Sequence, residues 1–109
     1  MSCLFCEIIN KEKPADIVYE NDKIIVIKDI NPRASVHLLI IPKKHIFSVN
    51  HIGEKDRTLM GDLFLVAQKL AKERNLKGYK LLINVGREGG QIIDHLHLHL
   101  LGGRLIKLP

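Results

Sequence analysis

The stretch "DHLHLHLLGG" carries three histidines, His95, His97 and His99, at every second position, with Leu96, Leu98 and Leu100 between them. The chain has six histidines, and half of them stand in this one stretch. Imidazole, with an ordinary pKa of ~6.5, can donate, accept or attack near neutral pH. In a strand, residues i, i+2 and i+4 share a face, so the three rings would line up on one side. An H-x-H pair is a common metal-binding arrangement, but three such rings on one ion would be strained. At ~3.3 Å per residue the outer α-carbons stand about 13 Å apart, whereas imidazole–metal bonds measure only ~2.0–2.1 Å. The row is therefore expected to divide between tasks, and a row of imidazoles also suits an extended anion such as a phosphate chain.

Three further features could carry chemistry. Cys3 and Cys6, the only cysteines, form one C-x-x-C. That pair reads either as half of a metal site or as two small apolar residues on a short helix. "GREGGQ" could offer backbone N–H groups, those of Gly90 and Gln91 among them, to phosphate oxygens. It lacks the P-loop and dinucleotide spacings, and an ordinary strand turn is its other meaning. His37 shares a strand face with Leu39 and Ile41, as a buried polar residue with a partner also would.

The elements that must position these groups are legible from periodicity. Leu4 to Asn10 forms a short helix, and Ile17–Glu20 and Lys23–Lys28 form two strands turned at Asn21-Asp22. "KIIVIKD" is apolar without alternation, which predicts a strand covered on both faces. "VHLLIIP" is a third strand and "YKLLINV" a fourth, and the last strand is the histidine stretch itself. Glu54 to Asn75 is the long helix, with Gly78 as its stop signal. Its apolar positions, Leu59, Met60, Leu63, Phe64, Val66, Ala67, Leu70 and Ala71, span about 160°. That exceeds what one sheet needs, and predicts either a second buried surface, such as the same helix of another subunit, or a deep groove in the chain's own core. The expected fold is α+β on a mainly antiparallel sheet.

Composition narrows the partners. At 109 residues the chain is expected to form one domain, residues 1–109, and 46% hydrophobic with 27% charged residues argues against disorder. The apolar runs fall far short of the ~20 residues that span a bilayer, and no basic flank precedes an apolar run at the N-terminus. A cytoplasmic protein is expected. The net charge of +5 raises nucleic acid as a partner, but the seventeen Lys and Arg are scattered and aromatics make up only 5%. A small anionic ligand fits better than a polymer.

"HLHLHLLGGR" resembles the H-φ-H-φ-H-φ-φ motif, φ being hydrophobic, of the histidine triad superfamily. "FCEIINKEKPADIVYEND", "KDINPRASVHLLIIPKKHI", "NLKGYKLLINVG" and "EGGQ" follow in the order and spacing of its histidine triad nucleotide-binding branch. The resemblance implies a HIT-like fold of about five strands with one long and one short helix. It also implies a homodimer whose sheet continues across the interface, and hydrolysis of purine nucleoside 5′-phosphoramidates. Carried onto this chain, it makes His97 the nucleophile at the α-phosphorus, with a nucleotidyl-histidine intermediate. His99 and His37 match the histidines that contact the phosphate and order the attacking ring. Asn84 matches a polar residue near phosphate and amine, and Asp29 the carboxylate that accepts from the ribose. Phe5, Ile8, Ile27 and Ile30 fall on the apolar purine slot, and Gly90 and Gln91 on the phosphate-side loop. Each of the apolar four reads as core on pattern alone.

The resemblance also gives the C-x-x-C a meaning. Some bacterial relatives hold a structural zinc with such a pair and two histidines, and the matching histidines here are His45 and His95. Three positions depart from the family. Ile92 stands where a serine is common, Asp94 where many relatives have an aromatic, and "GGRLIKLP" lacks the tryptophan of the element that helps select the leaving group. Losing one transition-state donor costs on the order of 10²–10³ in rate. Ile92 thus motivates the rival expectation, a nucleotide-binding module with little turnover. A zinc-stabilised dimer that binds another protein is a third.

Overall fold

The computed structural model describes residues 3–105. The elements run α1 (Leu4–Ile9), β1 (Ile17–Glu20), β2 (Ile24–Lys28), β3 (Ala34–Pro42), α2 (Arg57–Glu73), β4 (Tyr79–Leu82) and β5 (Leu98–Leu105). The strands form one antiparallel sheet in the order β1-β2-β3-β5-β4, which bears out the α+β expectation of five strands with one long and one short helix.

Strand alternation sorts the apolar residues onto two faces. Ile24, Val26, Leu38, Ile40, Leu98 and Leu100 pack under α2 with Leu63, Val66, Ala67 and Leu70. Ile25, Ile27, Leu39 and Ile41 face the other way and pack against Phe5 and Ile8 of α1. β2 is thus buried on both sides, the reason its sequence shows no polar alternation.

Boundaries depart from expectation in four places. A 3₁₀ turn, Glu54–Asp56, precedes α2. The helix ends at Glu73 rather than Asn75, and its stop signal is Asn75 rather than Gly78: Asn75 takes a left-handed φ of 57°, and Leu76 N–H returns to the Ala71 carbonyl. β4 ends at Leu82, leaving Asn84 in the loop. β5 begins only at Leu98, so His95 and His97 lie before the strand that was expected to hold them. The β3–β5 ladder runs from Ala34 to Ile40 and stops short of Pro42. Proline has no N–H to give a neighbouring strand. The Pro42 carbonyl instead accepts from the His95 ring at 2.7 Å, and Leu96 N–H donates to the Ile46 carbonyl at 2.7 Å. Alternation survives: Leu96 joins the α2 core, while His95 and His97 meet Phe5 on the α1 face.

On α2 the expected wide stripe divides. Leu63, Val66, Ala67, Leu70 and Ala71 are buried, Leu59 and Met60 are half-buried, and Phe64 is 48% exposed beside Leu65 at 63%.

Candidate active site and metal centre

Hydrogen bonding assigns a tautomer to each key ring. His97 Nδ1 lies 2.8 Å from the main-chain oxygen of His95. A carbonyl can only accept, so Nδ1 carries the proton and Nε2 keeps its lone pair. The ring is buried at 7% exposure, and burial holds its pKa below the ordinary value despite the His95 carbonyl. A neutral imidazole with Nε2 free is the form that can attack phosphorus.

His37 is set from the other side. The Arg33 backbone N–H donates to its Nδ1 at 3.0 Å, so its proton sits on Nε2. His37 Nε2 lies 2.9 Å from His99 Nδ1, as donor to acceptor, with Asp29 Oδ2 3.3 Å from the same Nε2. His99 Nδ1 therefore accepts, and its Nε2 carries the hydrogen. This Nε2 is buried with no partner among the described residues. Burial, with His97 and His37 close by, lowers the His99 pKa to about 4, and burial likewise lowers that of His37. The His97 and His99 ring centroids are 5.0 Å apart. A lone pair and a waiting N–H thus stand side by side.

The glycine loop is held by its own hydrogen bonds. Gln91 is buried, and its side chain accepts from Gly86 N–H and donates to the Phe47 and Ile93 carbonyls. Gly90 N–H bonds to the Arg87 carbonyl and Gln91 N–H to that of Gly86, so both groups expected to face phosphate are engaged inside the loop. Gly90 has a left-handed φ of 87°, and a Cβ there would meet the Asn84 amide at 3.7–3.9 Å. Arg87 holds Asp94 at 2.8 and 2.9 Å and also donates to the Gln91 carbonyl at 2.6 Å. Ile92 projects outward at 84% exposure.

Cys3, Cys6, His45 and His95 present four donor atoms within 4.8 Å of one another. The sulfur-to-Nδ1 distances are 3.2–3.6 Å, and the two Nδ1 atoms are 3.1 Å apart. A tetrahedral zinc site with Zn–S of ~2.3 Å and Zn–N of ~2.0–2.1 Å has S–N edges of about 3.6 Å and an N–N edge of about 3.3 Å. His95 meets a further condition: its Nε2–H is given to Pro42, so Nδ1 offers a lone pair to the cluster, as metal-bound imidazoles do. Burial and the adjacent Cys3 push the Cys6 thiol up to about 11, so paired thiolates here call for a cation. The residues fit such an ion.

The structure brings His97, His99, His37 and Asp29 together, and gathers Phe5, Ile8 and Ile27 into the wall behind them. It leaves Ile30 90% exposed, outside that cluster. Asp29 is pinned by Asn31 N–H at 2.8 Å in a local turn. Sequence reasoning missed the main-chain partners, namely the Arg33 N–H and the carbonyls of His95 and Pro42. Side-chain type carries no signal for them. The Arg87–Asp94 pair was also missed, although a charged residue before the first histidine hinted at one.

The sequence model described as "Scavenger mRNA decapping enzyme C-term binding" matches residues 2–106. The structure of a HIT family hydrolase from Legionella pneumophila Philadelphia 1 is 46% identical with a TM-score of 0.94, covering 99% of this chain and 98% of that one. A histidine triad nucleotide-binding protein from Candida albicans is 37% identical with a TM-score of 0.82, over 91% of this chain and 73% of that one. A zinc-bound histidine triad family protein from Mycobacterium smegmatis is 31% identical with a TM-score of 0.82, over 95% and 76%. Motif, fold and similarity along nearly the whole length agree, and the chain belongs to the histidine triad (HIT) family.

Proposed function

We propose that this protein is a nucleotide-binding hydrolase that cleaves the P–N bond of purine nucleoside 5′-phosphoramidates through a nucleotidyl-histidine on His97. The observation that carries this reading is the His97 tautomer: a buried neutral ring with Nδ1–H spent on a carbonyl and Nε2 left to attack. His97 Nε2 forms the bond to the α-phosphorus as the P–N bond breaks, and the leaving nitrogen takes a proton from solvent water and departs as the amine. Water then attacks the same phosphorus, releasing the monophosphate and restoring the ring. His99 offers its unpartnered Nε2–H to a phosphate oxygen, and His37 keeps that hydrogen on Nε2 by occupying Nδ1. Asp29 receives the ribose hydroxyls, Phe5, Ile8 and Ile27 back the purine, and Ile30 forms an outer lip. Asn84 lies by the leaving amine, while Gly90 and Gln91 shape the loop beside it.

Incubation with adenosine 5′-phosphoramidate, followed by AMP release and intact mass, tests this. The wild type is expected to show an adenylyl adduct that His97→Ala lacks, with hydrolysis down at least about 10³-fold. An unchanged rate in the variant overturns the assignment. Ile92 favours the second reading, a nucleotide-binding module: monophosphate binding with no turnover in the wild type would select it.

Cys3, Cys6, His45 and His95 are proposed to hold zinc, supported by their donor geometry and the zinc-bound relative. Four protein donors close the coordination sphere, so the ion would supply structure rather than an open catalytic position. Protein purified without a histidine tag is expected to carry close to one zinc per chain. Less than about a tenth of an equivalent would exclude a closed four-donor site of this kind. The same reading takes residues 1–109 as one domain of a cytoplasmic homodimer joined through the helix at residues 54–75, acting on a small nucleotide. Among the described residues no helix is long and apolar enough to cross a membrane.

A further inference from the structure

We infer that the Cys3, Cys6, His45 and His95 cluster is a positioning device for His97, setting the tautomer and orientation of the attacking ring as well as tying the chain together. This rests on the reading of His97 as the nucleophile.

Two routes lead from the cluster to that ring. The first is His95 itself. Its side chain is fully buried and fixed at both nitrogens, Nε2 on the Pro42 carbonyl and Nδ1 in the cluster. Its main-chain oxygen is the acceptor that keeps the hydrogen on His97 Nδ1. Residues 95–97 stand outside the β5 ladder, so few other bonds hold that oxygen in place. They are the 2.9 Å bond from His95 N–H to Ile93 and the 2.7 Å bond from Leu96 N–H to Ile46, the residue after His45. The second route is α1. Cys3 caps this helix, Cys6 lies one turn on, and Phe5 between them packs edge-on against His97 at 5.0 Å. Securing both thiols secures that wall.

With the cluster open, the His95 carbonyl and the Phe5 edge are both free to shift. His97 then exchanges its hydrogen between nitrogens, and the fraction with a free Nε2 lone pair falls. The loss of the lone pair belongs to the chemical step and is read in kcat, whereas a shift of Phe5, which also backs the purine, is read in KM. Cys3, Cys6, His45 and the His95 side chain are thus positioning residues, acting through His97.

The test compares zinc-loaded wild type with His45→Ala and His45→Cys. Long-range ¹H–¹⁵N spectra of histidine-labelled protein read the His97 tautomer, assigned by its absence in His97→Ala. The wild type is expected to show only the Nδ1–H form. His45→Ala should lose zinc and show both forms, with kcat on adenosine 5′-phosphoramidate down roughly 10–100-fold, and KM reporting separately on the Phe5 wall. His45→Cys, which keeps four donors, should restore zinc, spectrum and kcat. Loss of zinc with the His97 spectrum and kcat unchanged overturns the proposal and leaves the cluster a purely structural tie. Should His45→Ala fail to fold, the same spectrum of chelator-treated wild type, before and after zinc is returned, decides it. If wild type shows no turnover at all, the hydrolase reading fails, while the spectrum still answers whether the cluster sets the ring.

Discussion

His99 and His37 are kept neutral by the fold, and that has a cost in acid. An unfolded chain takes up protons on these rings as pH falls below about 6.5. The folded His99 resists protonation down to about 4 because burial disfavours its charged form. Between those values the unfolded state holds more protons, so stability is complete above about pH 6.5 and declines as pH falls toward 4. Urea midpoints measured from neutrality into that window should drop for the wild type and fall less steeply for His99→Asn. Parallel curves would mean that His99 titrates alike in both states. The residue types of this site were legible in the sequence, since the alternating histidines announced themselves. Their protonation states were not, because the Arg33 N–H and the His95 carbonyl that assign them belong to the main chain.

At the scale of elements, β5, which holds His99, lies close to the segment that follows α2. Gly102 makes that approach possible: a Cβ there would stand 2.4 Å from a methyl carbon of Leu76. Gly102→Ala should therefore lower stability by about 1–3 kcal/mol through overpacking, read as a reduced urea midpoint with an unchanged slope. A neutral result would mean that Leu76 swings away freely. Strand and helix identities followed from period two and period 3.6, which local sequence carries. The start of β5 did not follow, because it depends on Pro42 in another strand having no N–H to offer. The division of the long helix face escaped for a similar reason: periodicity counts apolar positions but not what covers them.

At the scale of the whole molecule, Phe64 and Leu65 on α2 remain exposed, as does Tyr79 on the outermost strand β4. The proposed homodimer would cover this surface. Sedimentation is expected to give a dimer for the wild type and a monomer for Phe64→Glu/Leu65→Glu, with the monomer's own fold retained by circular dichroism. A dimer surviving both charges would move the interface elsewhere. By itself the sequence determined the α+β class, the two-sided burial of β2, the histidine row and the residue types of both sites, since period and donor chemistry reside in the order of residues. The family resemblance already implied a division of the histidine row, and only the tertiary structure shows what holds each ring where it is. Cys3 and His95 lie ninety-two residues apart in the chain and 3.4 Å apart in the fold. His95 joins the cysteines, and His97 two residues on meets Phe5, because β3 ends in a proline whose carbonyl captures the first ring and whose missing N–H releases the strand before it.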